Sequence, residues 1–263
     1  MRLMILAYKF LQFLFNQVGF RLTLTRYKPF VPTLKGSKFD LIYLEKVVFL
    51  VKFYTKVHPR NLLEVGANLG QDSAYLSHIW RIENQNVYAI EPIAEYADAI
   101  SKTYGFITLP LAASNQAGFS MLKFQSDPSE NLGNASLHSH PTNDVRKEQV
   151  ATERLDVILN RLMISELDFL KIDVEGHVFQ VLEGLGSAIT NVRVIQLETD
   201  NFPIWNNSVT QEKVFKLLTD NDFILIDFEI SRDGIQGDSL WVGKNYLKRR
   251  IFDSKANFFR EVE

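Results

Sequence analysis

Short apolar runs of strand length alternate with segments of helical spacing through most of this chain. Such alternation is typical of parallel sheets, because two parallel strands need a long crossover connection and a helix is the usual one. Right-handed crossovers then place helices on both faces of the sheet. The predicted strands of the sheet are 61–65, 86–91, 106–111, 167–172, 192–198, 223–230 and 239–242, and the predicted helices are 41–56, 72–80, 94–104, 155–162, 179–185 and 210–221. Residues 119–124 also alternate like a strand.

The last two predicted strands are joined by a short polar turn, so we expect them to form an antiparallel pair. The predicted fold is therefore α/β and Rossmann-like, a mostly parallel seven-stranded sheet with an antiparallel C-terminal edge and helices on both faces. A chain of 263 residues that is 46% apolar can bury one such core. We expect the main domain over 57–245, an N-terminal helical appendage over 1–56 and a C-terminal tail over 246–263.

The net charge and the absence of cysteine exclude one class of partner and two classes of cysteine-dependent site. The formal net charge is −2, which gives no global basic field for nucleic acid, and nucleic acid is not an expected partner. Cysteine is absent, which excludes disulfides and thiolate metal sites in this sequence without identifying the compartment. A cytoplasmic location is the default expectation.

Residues 3–20 form a very apolar run that Lys9 and Gln12, among others, interrupt. The run is too broken for a membrane span, and no small-residue cleavage site follows it. Two interpretations stay open. The run is a helix that lies on the domain or in a homodimer contact, or it is an interfacial helix that rests on a membrane through side chains such as Phe10 and Phe13.

The first predicted strand ends in a carboxylate and a glycine loop, where parallel sheets bind small molecules. Glu64 stands two residues before Gly66 in the pattern Gly66-x-Asn68-x-Gly70, which lacks the three-glycine fingerprint of dinucleotide sites. A carboxylate there repels a pyrophosphate, which such a loop otherwise attracts. It suits the ammonium group of S-adenosylmethionine, which also carries a sulfonium.

Glu91 closes the second predicted strand, roughly 20 residues beyond the glycine loop. From this position a carboxylate can accept hydrogen bonds from the two ribose hydroxyls of a nucleoside cofactor. The same role suits NAD, so Glu91 alone does not discriminate between the two cofactors.

Asp173, Glu175 and His177 follow the fourth predicted strand, at the same sheet edge as the loop. Acids at three strand ends that converge on one crevice are hard to explain by core packing. We expect one of these three residues to supply a base or to orient the acceptor, and His177 is either a general base or a positioning residue at a helix start. Lys171 interrupts an apolar strand, which predicts an ion pair with a neighbouring acid.

Residues 125–149 form a long polar stretch, which inside a compact domain is typical of a lid or a binding loop. The pattern His138-x-His140 could form half of a metal site with the acids after the fourth strand. Two histidines in a polar loop are weak evidence, and we predict no metal. The lid residues expected to hydrogen-bond a polyhydroxylated substrate are Asn131, Asn134, Ser136 and His138.

Five segments together resemble the FkbM-type family of S-adenosylmethionine-dependent methyltransferases. The most specific is 167–177, and the others are 64–70, 91–92, 112–115 and 134–137. The resemblance spans roughly residues 62–198 and implies a class I methyltransferase fold that moves a methyl group from the cofactor, usually to a hydroxyl oxygen of a sugar or other natural product.

The resemblance also implies roles for individual residues. Asp173 and Glu175 would lie near the transferred methyl group. The residues implied for the cofactor are Glu64, Gly66, Ala67, Asn68 and Gly70 at the methionine end, Glu91 and Pro92 at the ribose, Ala112, Ala113 and Ser114 as a turn at the adenine, and Asp173.

This chain departs from the family at one position, because Val178 stands where members often carry an acid after the histidine. Two alternatives remain open: a nicotinamide-dependent oxidoreductase and a catalytically inactive binding module of the same fold. Glu64 and the missing third glycine argue against the first, and the acids at three strand ends argue against the second.

Overall fold

A computed structural model describes residues 41–124, 135–139, 146–202, 206, 208–231 and 234–248. All of them belong to the compact unit Gly36–Glu263. Predictions for the N-terminal 40 residues, for most of the C-terminal tail and for Asn131, Asn134 and His140 lie outside the described residues. The helices within the described ranges lack the combination of length and hydropathy that a membrane span requires.

The described chain forms eleven strands and six α-helices. In chain order the strands are β1 (Leu62–Val65), β2 (Val87–Ile90), β3 (Ile107–Leu109), β4 (Ala112–Ser114), β5 (Gly118–Phe124), β6 (Ala135–Ser136), β7 (Arg146–Arg154), β8 (Leu167–Ile172), β9 (Val192–Asp200), β10 (Phe223–Ile230) and β11 (Gln236–Gly243). The helices are α1 (Leu41–Tyr54), α2 (Gln71–Trp80), α3 (Ala94–Tyr104), α4 (Leu155–Arg161), α5 (Val178–Leu185) and α6 (Gln211–Asp220).

The main sheet has seven strands in the order β10-β11-β9-β8-β1-β2-β3. Strand β1 pairs in parallel with β2 and β8, and β11 runs antiparallel between β9 and β10. The predicted fold class is confirmed, and each predicted strand and helix of this sheet is present with its ends shifted by at most a few residues. The carboxyl ends of β1, β2, β8 and β9 therefore meet at one edge.

Apolar side chains cover both faces of this sheet. One cluster packs α4, α5 and α6 against β8 and β9, and another packs α1, α2 and α3 against the opposite face. Helix α1 buries Leu44, Val47 and Val51 in the second cluster, as its spacing predicts. Because β8 is buried along its whole length, a polar residue on this strand needs a partner.

A second sheet of four strands, in the order β4-β7-β5-β6, was not predicted as a sheet, although the strand predicted over 119–124 is confirmed as β5. Residues Ala112–Ser114, expected as a turn, are instead strand β4, which pairs in parallel with β7. A Cβ on Gly184 would lie 2.0 Å from the carbonyl oxygen of Ser114, so this glycine lets α5 pack directly on β4. Of the stretch 125–149, expected as a loop, residues 135–136 are β6 and 146–149 begin β7.

Candidate cofactor and acceptor site

The glycine loop after β1 touches the ends of two neighbouring strands. The amides of Gly66 and Ala67 donate to the carbonyl oxygen of Ile90 at 2.9 and 3.1 Å. Gly66 has φ +80°, and a Cβ there would lie 1.8 Å from the carbonyl oxygen of Asp173. Only glycine permits this approach and this backbone conformation together. Asn68, with φ +50°, and Gly70, with φ +73°, complete the turn into α2.

Lys171 lies at the centre of three carboxylates, which we call the lysine-centred group: Glu64, Asp72 and Asp173. Its Nζ is 3.2 Å from Glu64 Oε1 and 3.1 Å from both Asp72 Oδ2 and Asp173 Oδ2. The side chain is only 4% exposed. Burial alone would lower the pKa of this ammonium, but the charges of Asp173, Asp72 and Glu64 raise it well above its usual value. The predicted ion pair of Lys171 is confirmed.

Glu64 is buried beneath the loop, 2% exposed. Besides Lys171, its carboxylate accepts hydrogen bonds from the amide of Ser73 at 3.1 Å and from the hydroxyl of the same residue. Burial raises the pKa of Glu64 to about 7. In this structure Glu64 therefore holds the start of α2 and Lys171, and its contact with a methionine ammonium stays a prediction.

The Glu91 carboxylate links the glycine loop to the residues that follow β2 through two hydrogen bonds. Its Oε2 accepts from the amide of Asn68 at 2.7 Å and its Oε1 accepts from the amide of Ile93 at 2.9 Å, across Pro92. Burial raises the pKa of the carboxyl to about 7. Each carboxylate oxygen has a second lone pair, so both can still accept a ribose hydroxyl.

His177 connects the second sheet to the end of β8. One ring nitrogen, Nε2, lies 3.0 Å from Ser114 Oγ, and Nδ1 lies 3.0 Å from His138 Nε2. Burial lowers the pKa of His177 to about 3, with a further contribution from His138, so the ring is neutral at physiological pH. Since both ring nitrogens are engaged, these contacts favour the positioning role over that of a general base.

Ser136, which was predicted to contact the substrate, stabilises the turn after β8 by a hydrogen bond. Ser136 is 1% exposed, and its hydroxyl donates to the carbonyl oxygen of Glu175 at 2.6 Å. Because this contact is internal, Ser136 supports Glu175 in this structure, and its contact with a substrate stays a prediction. Ala112 and Ala113 are likewise buried, in two separate apolar clusters.

A second acidic group, not predicted from the sequence, adjoins the first. We call it the glutamine-centred group, because Nε2 of Gln236 lies 3.4 Å from Glu175 Oε2, 3.2 Å from Glu198 Oε2 and 3.4 Å from Asp200 Oδ1. Burial, followed by repulsion from Asp173, raises the pKa of Glu175 to about 8 and that of Glu198 well above its usual value. Burial also raises the pKa of Asp200 to about 6.

The sequence contains a signal for two of these residues. Glu198 and Asp200 follow the apolar run of β9, just as Asp173 follows that of β8, so the same reasoning about strand ends would have found them. No comparable signal marks Gln236, which reaches the site because β11 pairs with β9 and places it opposite Asp200.

Known proteins were compared with the whole chain. The family model described as the methyltransferase FkbM domain matches residues 64–225. The hexuronic acid methyltransferase AglP of Haloferax volcanii is 22% identical over 179 residues, which cover 62% of this chain and 69% of that protein.

Two solved structures align with part of this chain. Methyltransferase FkbM from Methylobacillus flagellatus KT aligns with a TM-score of 0.46 and 14% identity. The alignment covers 70% of this chain but only 44% of the length of that methyltransferase. Magnesium protoporphyrin IX methyltransferase from Synechocystis PCC 6803, with S-adenosylmethionine bound, aligns with a TM-score of 0.45 and 12% identity over 89% of this chain and 95% of its own.

Proposed function

This chain belongs to the FkbM family of methyltransferases, and on that premise we propose that it transfers the methyl group of S-adenosylmethionine to a hydroxyl oxygen of a sugar or glycan. Family membership indicates S-adenosylmethionine as the cofactor and decides against the nicotinamide alternative. The observation that carries the proposal is the acidic sheet edge, where the glycine loop, the lysine-centred group and the glutamine-centred group lie side by side.

The cofactor fits this edge by charge and by hydrogen bonding. A sulfonium and an ammonium are both favoured beside uncompensated carboxylates, whereas a pyrophosphate is repelled by them. In the proposed arrangement the methionine end lies over the loop from Gly66 to Gly70, and the ribose hydroxyls donate to Glu91. Asp173, which follows β8 and touches the loop through its carbonyl oxygen, would lie between cofactor and acceptor.

Methyl transfer from a sulfonium is an in-line displacement. The acceptor oxygen forms a bond to the methyl carbon, the carbon–sulfur bond breaks with its electron pair going to sulfur, and the hydroxyl proton passes to a base. Correct alignment can supply about 7–11 kcal/mol of the barrier. Glu175, with its pKa raised to about 8, matches the requirement that a general base titrate near the working pH.

The acidity of the site also affects which kind of acceptor group the protein can bind. AglP is named as a hexuronic acid methyltransferase, and an ionised hexuronate would meet repulsion from Asp173, Glu175 and Glu198 in this chain when these groups are ionised and hold no cation. A neutral hydroxyl meets no such penalty and finds several acceptors for its proton. We therefore favour a neutral sugar hydroxyl over a carboxylate as the methylated group.

Methyl transfer from labelled S-adenosylmethionine to neutral and hexuronate-containing oligosaccharides tests the proposal. We expect label in the neutral sugars as a methyl ether, which resists mild alkali, whereas a methyl ester releases it. Asp173→Asn should lower turnover strongly, and the exposed Glu212→Gln serves as the matched control. Cofactor binding without transfer to any of these sugars would instead support the inactive binding module.

A further inference from the structure

Three carboxylates at the acceptor end of the site are arranged as ligands of a single ion. One oxygen from each of Asp173, Glu175 and Glu198 lies within 4.8 Å of the other two. Two oxygens bound to the same ion are separated by at most twice the metal–oxygen bond, which is about 4.2 Å for Mg²⁺ and about 5 Å for Ca²⁺. We propose that these three residues form a binding site for a hard divalent cation of the class of Mg²⁺, Mn²⁺ or Ca²⁺.

An independent observation comes from Asp200. This residue is 4% exposed, and its Oδ2 is buried without a hydrogen-bond partner among the described residues. Its other oxygen, Oδ1, lies 3.4 Å from the Gln236 amide nitrogen that also contacts Glu175 and Glu198. A buried carboxylate oxygen without a partner is costly, so this fourth acid indicates that a positively charged or donating ligand completes the cluster.

The charge balance of the cluster also supports a bound cation. Lys171 forms ion pairs with Glu64, Asp72 and Asp173 and is shared among them. Glu175, Glu198 and Asp200 share the neutral amide of Gln236. A dication would compensate their charge where one amide cannot.

The donor set selects the class of metal. Every candidate ligand atom is a carboxylate oxygen, which suits Mg²⁺, Mn²⁺ or Ca²⁺ and does not favour zinc or copper. A half-turn of the Gln236 amide would replace its nitrogen by Oε1 and add a further oxygen donor. His138, the other metal-ligand candidate in the sequence, is engaged with His177 through its Nε2.

The role of the ion rests on the proposed function, whereas its binding does not. Asp173, Glu175 and Glu198 are all partly exposed, so an ion held there could also bind an acceptor hydroxyl. As a Lewis acid it would ease loss of the hydroxyl proton to a base and orient the oxygen toward the methyl carbon. The ion is neither oxidised nor consumed. With the ion bound, Glu175 would serve as a ligand and the hydroxyl proton would pass to solvent, while the displacement at the methyl carbon is the one described above.

Titration of the chelator-treated full-length protein with MnCl₂ alone, followed by the electron paramagnetic resonance of free Mn²⁺, tests the site. We expect saturable binding by the wild type, weakened by at least about 10-fold in Glu198→Gln, in line with the cost of disturbing a metal site. Glu212→Gln removes an exposed carboxylate elsewhere and should leave the affinity within about twofold. Absence of saturable binding by the folded wild type, or equal affinity in both variants, would overturn the proposal.

Thermal unfolding keeps the test decisive if a variant folds poorly. Without metal, Glu198→Gln should melt at or above the wild-type temperature because repulsion is relieved, and added Mn²⁺ should raise the melting temperatures of the wild type and Glu212→Gln by more than that of Glu198→Gln. A titration with S-adenosylhomocysteine on the same protein separates the two proposals. Binding of that ligand without Mn²⁺ binding overturns the metal site only, and Mn²⁺ binding without it supports the metal site and contradicts the proposed function.

Discussion

The lysine-centred and glutamine-centred groups lie side by side at one sheet edge, and each holds three carboxylates around one nitrogen atom. In the first the nitrogen is the ammonium of Lys171, at 3.1–3.2 Å from its partners. In the second it is the amide of Gln236, at 3.2–3.4 Å. The first group contains one positive charge among its three carboxylates, whereas the second contains none and must obtain one from a bound molecule or hold protons.

The difference originates in strand register. Lys171 on β8 is the pairing partner of Glu64 on β1, so the ammonium is placed beside a carboxylate within the sheet itself. Gln236 on β11 is the partner of Asp200 on β9. The first group therefore acts as a structural support for the loop, and the second is available to cationic ligands.

The largest effect should come from removing the lysine. Lys171→Met leaves three carboxylates without their shared cation, and we expect a loss of about 3–5 kcal/mol in the free energy of unfolding, measured by urea denaturation. Lys216→Met, which breaks an exposed pair with Asp220, is the control and should cost about 0.3–0.5 kcal/mol. Equal losses in the two variants would contradict the supporting role of Lys171.

Neutralising one acid in each group should produce opposite signs. Glu64→Gln removes a partner of Lys171 and disturbs the contact with Ser73, and we expect a loss of about 1–3 kcal/mol in the free energy of unfolding. Glu175→Gln removes a repelled charge, and we expect a gain of about 1 kcal/mol at pH 8 without metal. The same urea measurement on both variants checks this, and a loss in both would show that the two groups do not differ.

The last prediction concerns the dependence of stability on pH. Because burial raises the folded pKa of Glu175 from 4.5 to about 8, its contribution to stability is present below pH 4.5 and is lost as the pH rises through 8. His177 acts in the opposite sense: its pKa falls from 6.5 to about 3, so its contribution is present above pH 6.5 and is lost as the pH falls toward 3.

Urea denaturation at a series of pH values in metal-free buffer checks these two windows. Glu175→Gln should flatten the decline between pH 5 and pH 8 that the wild type is expected to show. An unchanged slope would mean that Glu175 is not repelled in the folded protein.

The main sheet could be predicted because its strands are short apolar runs whose ends coincide with an acid or a glycine. The same feature located Glu64, Glu91 and Asp173, and the interruption of β8 by Lys171 correctly predicted an ion pair. These signals are local in sequence, since they depend only on which residues end an apolar run.

The second sheet and the glutamine-centred group could not be predicted in the same way. Strand β7 alternates polar residues with few buried ones, and β4 is three small residues long, so neither has a strong apolar signal. The position of Gln236 depends on the pairing of β11 with β9, which brings together residues 36 positions apart. Such contacts follow from topology and register, which the pattern of one segment does not contain.

Calorimetric titration of the full-length protein with S-adenosylhomocysteine, and separately with NAD, tests the central claim that this sheet edge holds a methyl-donor cofactor. We predict saturable binding of S-adenosylhomocysteine, weakening of that binding in Glu91→Gln with little change in Glu212→Gln, and no binding of NAD. Binding of NAD, or failure of the folded wild type to bind S-adenosylhomocysteine, would contradict the claim.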